Sequence, residues 1–130
     1  MSSLLEKLKE CTETPHADER TRYSESFTEM GYTIPEDMAS LDGVYCGGFF
    51  QKRETGLTWN FLSPSDLCRT SIFDDMSVPK EAKWVPLIDC SEGEYICFDT
   101  EQSVYLLWNA IDQEKYDTFS SLEAVLSSDI

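Results

Sequence analysis

The chain has 130 residues, of which 41% are apolar and 27% charged, and its 25 acids against ten Lys and Arg give a net charge of −15. A chain of this length and composition can bury an apolar core, so residues 1–130 are predicted to form a single domain. The negative charge argues against direct binding to nucleic acid or to anionic lipid, because both would be repelled.

The cysteines and the apolar runs indicate in which cellular compartment the protein is expected. Five cysteines, with no C-x-x-C pair, fit neither a disulfide framework nor a zinc site, and are predicted to be mostly buried thiols in a reducing environment. The first residues are interrupted by Glu6 and do not resemble a signal peptide, and no apolar run approaches the roughly 20 residues of a membrane helix. We therefore expect a cytoplasmic protein.

Three helices are predicted in the N-terminal third of the chain. Capping-box spacing at the start of residues 3–11 indicates the first of them. Residues 18–30 carry Tyr23 and Phe27 on one apolar stripe, so the second helix should lie against the core. Pro35 fits a first helical turn, where its missing N–H has no partner to lose, and opens a third helix that ends near residue 41.

The middle of the chain predicts a hairpin followed by a helix. Paired glycines at 47–48 mark a tight turn before a strand at 49–52, and residues 57–62 complete the hairpin. Ser63 is a suitable N-cap, and Pro64 at the first helical position with Asp66 at the third predicts that a helix starts here.

Three strand-like runs follow, at residues 84–88, 94–98 and 103–108, and polar turns separate them. Because the connections are short, these strands should form an antiparallel sheet. A second capping-box spacing predicts a closing helix over 120–127. Helices, then strands, then a helix indicate an α+β domain.

Strand alternation assigns two faces to residues 94–99. If Tyr95, Cys97 and Asp99 share one face, then Ile96 and Phe98 lie on the opposite face, which the helices would cover. In this interpretation Tyr95 and Asp99 are neighbours on the surface of the sheet.

Several short motifs occur in a recognisable order between about residues 20 and 126. They are Ile34-Pro35-Glu36-Asp37, Gly47-Gly48, Leu62 to Leu67, Trp84-Val-Pro-Leu87, Gly93 to Asp99, Val104-Tyr105, and Phe119 with Leu122 and Leu126. In order and spacing the chain resembles the SUKH superfamily, which includes bacterial immunity proteins of toxin systems and fungal regulators of cell-wall synthesis. The resemblance implies an α+β fold with a single twisted antiparallel sheet of about five strands, and N-terminal, mid-chain and C-terminal helices packed on one face. It implies no catalytic residues.

The last third of the chain is strongly acidic. Between Trp84 and Ile130, ten carboxylates stand against one basic residue, Lys115. A sheet face that combines aromatic anchors with carboxylates suits a basic protein, because the aromatics supply desolvated contact and the acids supply steering. With the family resemblance, this predicts an immunity protein that binds and neutralises a cognate cationic toxin. A nuclease fits, since its active site must be positive to hold phosphate. The candidate contact residues are Glu92, Glu94, Tyr95, Asp99, Glu101, Asp112 and Asp117.

Two alternatives belong to other classes. A regulatory or scaffolding domain, as in the fungal branch of the family, would bind a cellular protein instead of a toxin. A divalent-metal enzyme could use Asp74-Asp75, or Asp89 with Glu92 and Glu94, although no calcium-loop spacing is present. The single histidine, His16, has no serine or cysteine placed to use it. The leading expectation is therefore a protein that is not an enzyme and has no cofactor or metal.

Overall fold

The computed structural model describes residues 12–15, 22–42, 47–51, 56, 58–67, 82–90 and 92–126. The helix predicted over 3–11, the candidate base His16 and the candidate metal ligands Asp74-Asp75 lie outside the described residues. Within the described part, no helix is long and apolar enough to cross a membrane.

The described chain contains four short helices and seven strands. The helices are α1 (Tyr23–Glu29), α2 (Glu36–Ala39), α3 (Pro64–Leu67) and α4 (Leu122–Leu126). The strands are β1 (Thr12–Pro15), β2 (Gly48–Gln51), β3 (Thr58–Phe61), β4 (Trp84–Asp89), β5 (Glu94–Asp99), β6 (Val104–Asn109) and β7 (Glu114–Phe119). Two helices precede β2, one lies between β3 and β4, and one follows β7.

All seven strands form one antiparallel sheet in the order in which they occur along the chain. This confirms the α+β class and the single antiparallel sheet, but the number of strands is seven where about five were predicted. The placement of the helices also differs, since the two helices before β2 follow a first strand, β1. The two additional strands are β1, which lies between the helices predicted over 3–11 and 18–30, and β7. Residues 114–118 of β7 are all exposed, so no alternation of buried and exposed side chains marked this strand in the sequence.

The helices and one face of the sheet share a single apolar core. Tyr23 of α1 packs edge-on against Phe61 of β3, with ring centroids 5.9 Å apart, and Phe27 lies 6.3 Å from Phe98 of β5. The other helices contribute further buried side chains to this core: Met38, Leu67, Leu122 and Val125. Ile96 and Phe98 belong to the same core, which confirms the helix-covered face predicted for β5.

The opposite face of the central strands is also buried. Cys97, Leu106 and Trp108 form a second cluster there, and Trp84 packs edge-on against Trp108 at 5.3 Å. Complete burial raises the pKa of the Cys97 thiol well above its usual range, so this cysteine stays protonated. The expectation that this face of β5 is open to solvent is therefore wrong at Cys97, because the strand is covered on both sides.

Candidate functional site

Two turns meet at one end of the sheet, and a group of carboxylates lies on and beside them. The turn before β5 and the turn between β6 and β7 lie side by side, and the amide of Ala110 donates to the carbonyl of Gly93 at 2.8 Å. Gly93 has φ +81°, and a Cβ there would lie 2.8 Å from Cδ1 of Ile111. The positive φ therefore favours glycine at this position, and a larger residue would also displace the side chain of Ile111. We call this end the acidic tip, defined as Glu92, Glu94, Ile111, Asp112, Glu114 and Tyr116.

Local hydrogen bonds hold both turns in place. The side-chain oxygen of Asn109 accepts from the amides of Ile111 at 3.0 Å and Asp112 at 2.9 Å, and so closes the turn after β6. The amide of Cys90 donates to the carbonyl of Glu94 at 2.9 Å and closes the turn before β5. The carboxylates are thus presented from ordered turns anchored by a three-strand ladder.

The carboxylates of the tip influence one another. The strand register places Glu94 of β5 beside Asn109 of β6, and Asn109 beside Glu114 of β7. The Tyr116 hydroxyl donates to the Asp112 carboxylate. That bond raises the pKa of Tyr116 to about 12, with partial desolvation and the charges of Asp112, Glu114 and Glu94 as further causes.

The pKa of Glu94 responds to its surroundings at the tip. Partial burial, followed by the charge of Glu92, raises the pKa of the Glu94 carboxyl. A raised pKa means that the folded protein holds the proton of Glu94 more tightly than the unfolded chain does. Protonated Glu94 therefore contributes to stability below the unfolded pKa of about 4.3, and this contribution is lost as the pH rises through the folded pKa. We expect Glu94→Gln to increase the free energy of unfolding at pH 7 by up to roughly 0.5 kcal/mol. Urea unfolding at pH 7 and pH 3.5 would measure this, and an equal gain at both pH values would contradict it.

The tip also exposes two large apolar side chains. Ile111 is 76% exposed and Tyr116 is 43% exposed. Both stand among the acids, so the tip combines apolar contact area with negative charge. Sequence reasoning missed Ile111, Glu114 and Tyr116, because their position depends on β7 pairing with β6. The only local signal of this part of the site in the sequence was a polar turn followed by charged residues of alternating sign.

The seven predicted contact residues do not form one patch. Glu92, Glu94 and Asp112 meet at the tip, and Asp117 is exposed on β7. Tyr95 is the half-buried second residue of β5, opposite Trp108.

Asp99 and Glu101 lie at the opposite end of β5. Asp99 is only 6% exposed, and its Oδ1 accepts from the amides of Glu101 at 2.9 Å and Gln102 at 3.2 Å. Its carboxylate is therefore used inside the turn, and the expected surface pairing of Tyr95 with Asp99 is not what the structure shows. Glu101 is exposed.

A groove of about 970 Å³ lies at this second end, between the segment 31–37 and the turn that holds Glu101. Asp37 stands at its base. Oδ1 of Asp37 accepts from the hydroxyl of Tyr105 and from the amide of Met38 at 3.1 Å, and Oδ2 accepts from the amide of Leu122 at 2.9 Å. Burial, then the bond to Asp37, raises the pKa of Tyr105 far above its usual value, so Tyr105 remains a donor. One carboxylate thus connects α2, β6 and α4.

Among the residues that the structure describes, no three His, Cys, Asp or Glu side chains are grouped so that they could hold a metal ion. No family model, no curated protein and no solved structure matches the chain. The resemblance to the SUKH superfamily therefore stays a prediction.

Proposed function

We propose that this protein is an immunity protein that binds and neutralises a cognate cationic toxin through its acidic tip. The observation that carries the proposal is the composition of that tip. Four carboxylates surround the exposed side chains of Ile111 and Tyr116 on ordered turns. A SUKH-like family, a cytoplasmic location and a role without catalysis belong to the same proposal.

Electrostatics favours a basic partner for this surface. Residues 92–126 contain eight carboxylates and one basic residue, Lys115, so little positive charge within this segment offsets the acids. Like charges that are held close together raise the energy of the free protein, and a cationic partner relieves that repulsion. A field of one sign also accelerates association, by 10-fold to roughly 1,000-fold at low ionic strength. A toxin that must be captured before it acts benefits from such a rate.

The exposed apolar side chains supply what charge alone does not. Ion pairs at a wet rim add little affinity, whereas aromatic and aliphatic anchors surrounded by polar contacts carry most of the binding energy at protein interfaces. Tyr116 and Ile111 are such anchors. A nuclease remains the favoured toxin class, because a cleft that binds phosphate presents cationic groups to a carboxylate-bearing surface.

The contact residues are proposed in two groups. Glu92, Glu94, Asp112 and Asp117 lie on or next to the tip and are the principal candidates. Tyr95, Asp99 and Glu101 stay in the predicted set, but their positions suit a supporting role. Tyr95 is half-buried, Asp99 is buried, and Glu101 lines the groove at the other end.

Affinity capture from the protein's own cells tests the proposal. The protein is immobilised and washed at low salt and at about 0.5 M salt, where the Debye length falls to about 4 Å, and retained proteins are identified by mass spectrometry. We expect one basic protein in stoichiometric amount, weakened at high salt and inhibited by this chain in an activity assay. Recovery of a cellular complex in place of a single basic protein would point instead to a regulatory or scaffolding domain. Stabilisation of the chain by magnesium or calcium would point to a metal-dependent enzyme.

A further inference from the structure

Strand β7 is an open edge of the sheet. It is last in the strand order, and within the described residues it pairs with β6 alone. Its residues 114–118 are all exposed, so burial of side chains contributes little to holding it in place. An edge strand presents a row of backbone N–H and C=O groups that can pair with another strand.

The phase of the ladder tells which β7 groups point outward. The bond from the Ala110 amide to the Gly93 carbonyl shows that Ala110 faces β5. The backbone N–H and C=O groups of successive residues in an antiparallel strand point to opposite neighbours. The backbone groups of Leu106 therefore also point towards β5, whereas those of Leu107 point towards β7. Leu106 lies opposite Thr118. The backbone N–H and C=O of Thr118 therefore point away from β6, towards the open edge.

The same argument applies at the other end of β7. Trp108 is two residues from Ala110, so its backbone groups also point towards β5. Its partner in β7 is Lys115. Lys115 therefore also turns its backbone groups outward, on the far side of the irregularity between Leu107 and Trp108. The edge offers main-chain groups at both ends of the strand.

Charge decides which strand this edge can accept. Glu114 and Asp117 lie on the edge strand, and the other carboxylates of the tip lie at its end. Lys115 is the one basic residue between positions 92 and 126. Two copies of the chain, each with a net charge of −15, would bring these acids together and repel. A strand with lysine or arginine at alternate positions would place its cations against them.

We propose that the cationic partner adds a basic strand to the β7 edge, so that main-chain pairing to Lys115 and Thr118 fixes its register beside the acidic tip. This inference rests on the proposed function and specifies how the partner binds. Main-chain bonds supply affinity in such strand addition, and alternate side chains supply specificity.

A synthetic probe tests the mode of binding without knowledge of the natural partner. The probe is a capped eight-residue peptide of alternating lysine and valine, added to the ¹⁵N-labelled protein. Hydrogen exchange at the amides of Lys115 and Thr118 is expected to slow by tenfold or more. A probe N-methylated at every residue has no backbone N–H to donate from either edge, and a glutamate–valine probe carries the wrong charge, so both are expected to leave these amides unchanged.

A pair of variants isolates the backbone contact. Thr118→Pro removes the outward N–H and leaves the ladder to β6 its donors, and it should weaken binding of the lysine–valine probe by about threefold to tenfold. Thr118→Val retains the N–H and should bind as the wild type does. The N-methylated probe uses the unaltered protein, so the test survives if Thr118→Pro fails to fold.

Three results would overturn strand addition. The first is equal binding of the N-methylated and parent probes, which would show attraction by charge alone and leave the proposed function intact. The second is no binding of the lysine–valine probe at millimolar concentration. The third is self-association that Thr118→Pro abolishes, which would assign the edge to a second copy. Failure of the proposed function is a separate result, seen as the absence of a basic protein in the affinity capture.

Discussion

Asp37→Ala is expected to lower the free energy of unfolding by about 3 kcal/mol, which is a large part of the stability of a domain of this size. The carboxylate accepts from the hydroxyl of Tyr105 and from the amides of Met38 and Leu122. Alanine would leave the buried Tyr105 hydroxyl without this acceptor and would remove the carboxylate from the first amide of α4. Urea denaturation followed by tryptophan fluorescence measures the loss.

Glu36→Ala is the matched control for this substitution. Glu36 precedes Asp37 in α2 and is exposed, so its loss should change stability by no more than about 0.5 kcal/mol. Asp37→Asn keeps the size of the side chain and one acceptor oxygen, and should fall between the two. Equal stabilities of Asp37→Ala and Glu36→Ala would show that the contacts of Asp37 do not join the three elements energetically.

The same contact gives stability an alkaline dependence. Tyr105 has a raised pKa in the folded protein, so its contribution is fully present below the unfolded pKa of about 10 and is lost as the pH rises further. Cys97 behaves in the same direction from a lower pH, since its thiol is also buried. Tyr105→Phe should therefore show a shallower fall in stability above about pH 10 than the wild type, while the thiol contribution is shared by both proteins.

Glu94→Lys combined with Asp112→Lys is expected to slow association with the captured basic partner by roughly 100-fold at low salt. The two substitutions change the net charge by +4 and take the charge of the tip from −4 to 0, so the local negative field is removed. Stopped-flow or surface-based kinetics at several salt concentrations would measure the rate. The difference from the wild type should shrink near 0.5 M salt, because screening then removes the same steering from the wild type.

Glu25→Lys combined with Glu29→Lys provides the control for total charge. Both residues are exposed on α1, and the change in net charge is the same. If steering depends on the tip, this variant should lose less than about fivefold in rate. Equal slowing by both double variants would show that the overall charge of −15, and not the acidic tip, attracts the partner.

Strands β4, β5 and β6 and the starts of α2 and α3 could be predicted because their signals are local. The strands show runs of apolar residues between polar turns, and Pro35 and Pro64 mark the places where a helix can begin. The two faces of β5 followed from the two-residue period of a strand. The candidate site was predicted only in part: Glu92, Glu94 and Asp112 do meet, because the turns that carry them lie at one end of an antiparallel sheet.

The rest of the site required the tertiary structure. Strand β7 exists through backbone pairing with β6, and backbone pairing leaves no pattern in side-chain hydrophobicity. The same sheet moves Asp99 from a presumed contact surface into a turn, where its oxygen accepts two amides.

The amino-acid sequence by itself determined the charge, the α+β class and the positions of the central strands, since composition and short-range periodicity are sufficient for these. Only the tertiary structure decided which carboxylates act together. Asp37 meets Tyr105 across 68 residues and Leu122 across 85, and such distant contacts are selected by packing of the whole core. The acidic tip likewise depends on the close approach of two turns, which the bond from the Ala110 amide to the Gly93 carbonyl joins.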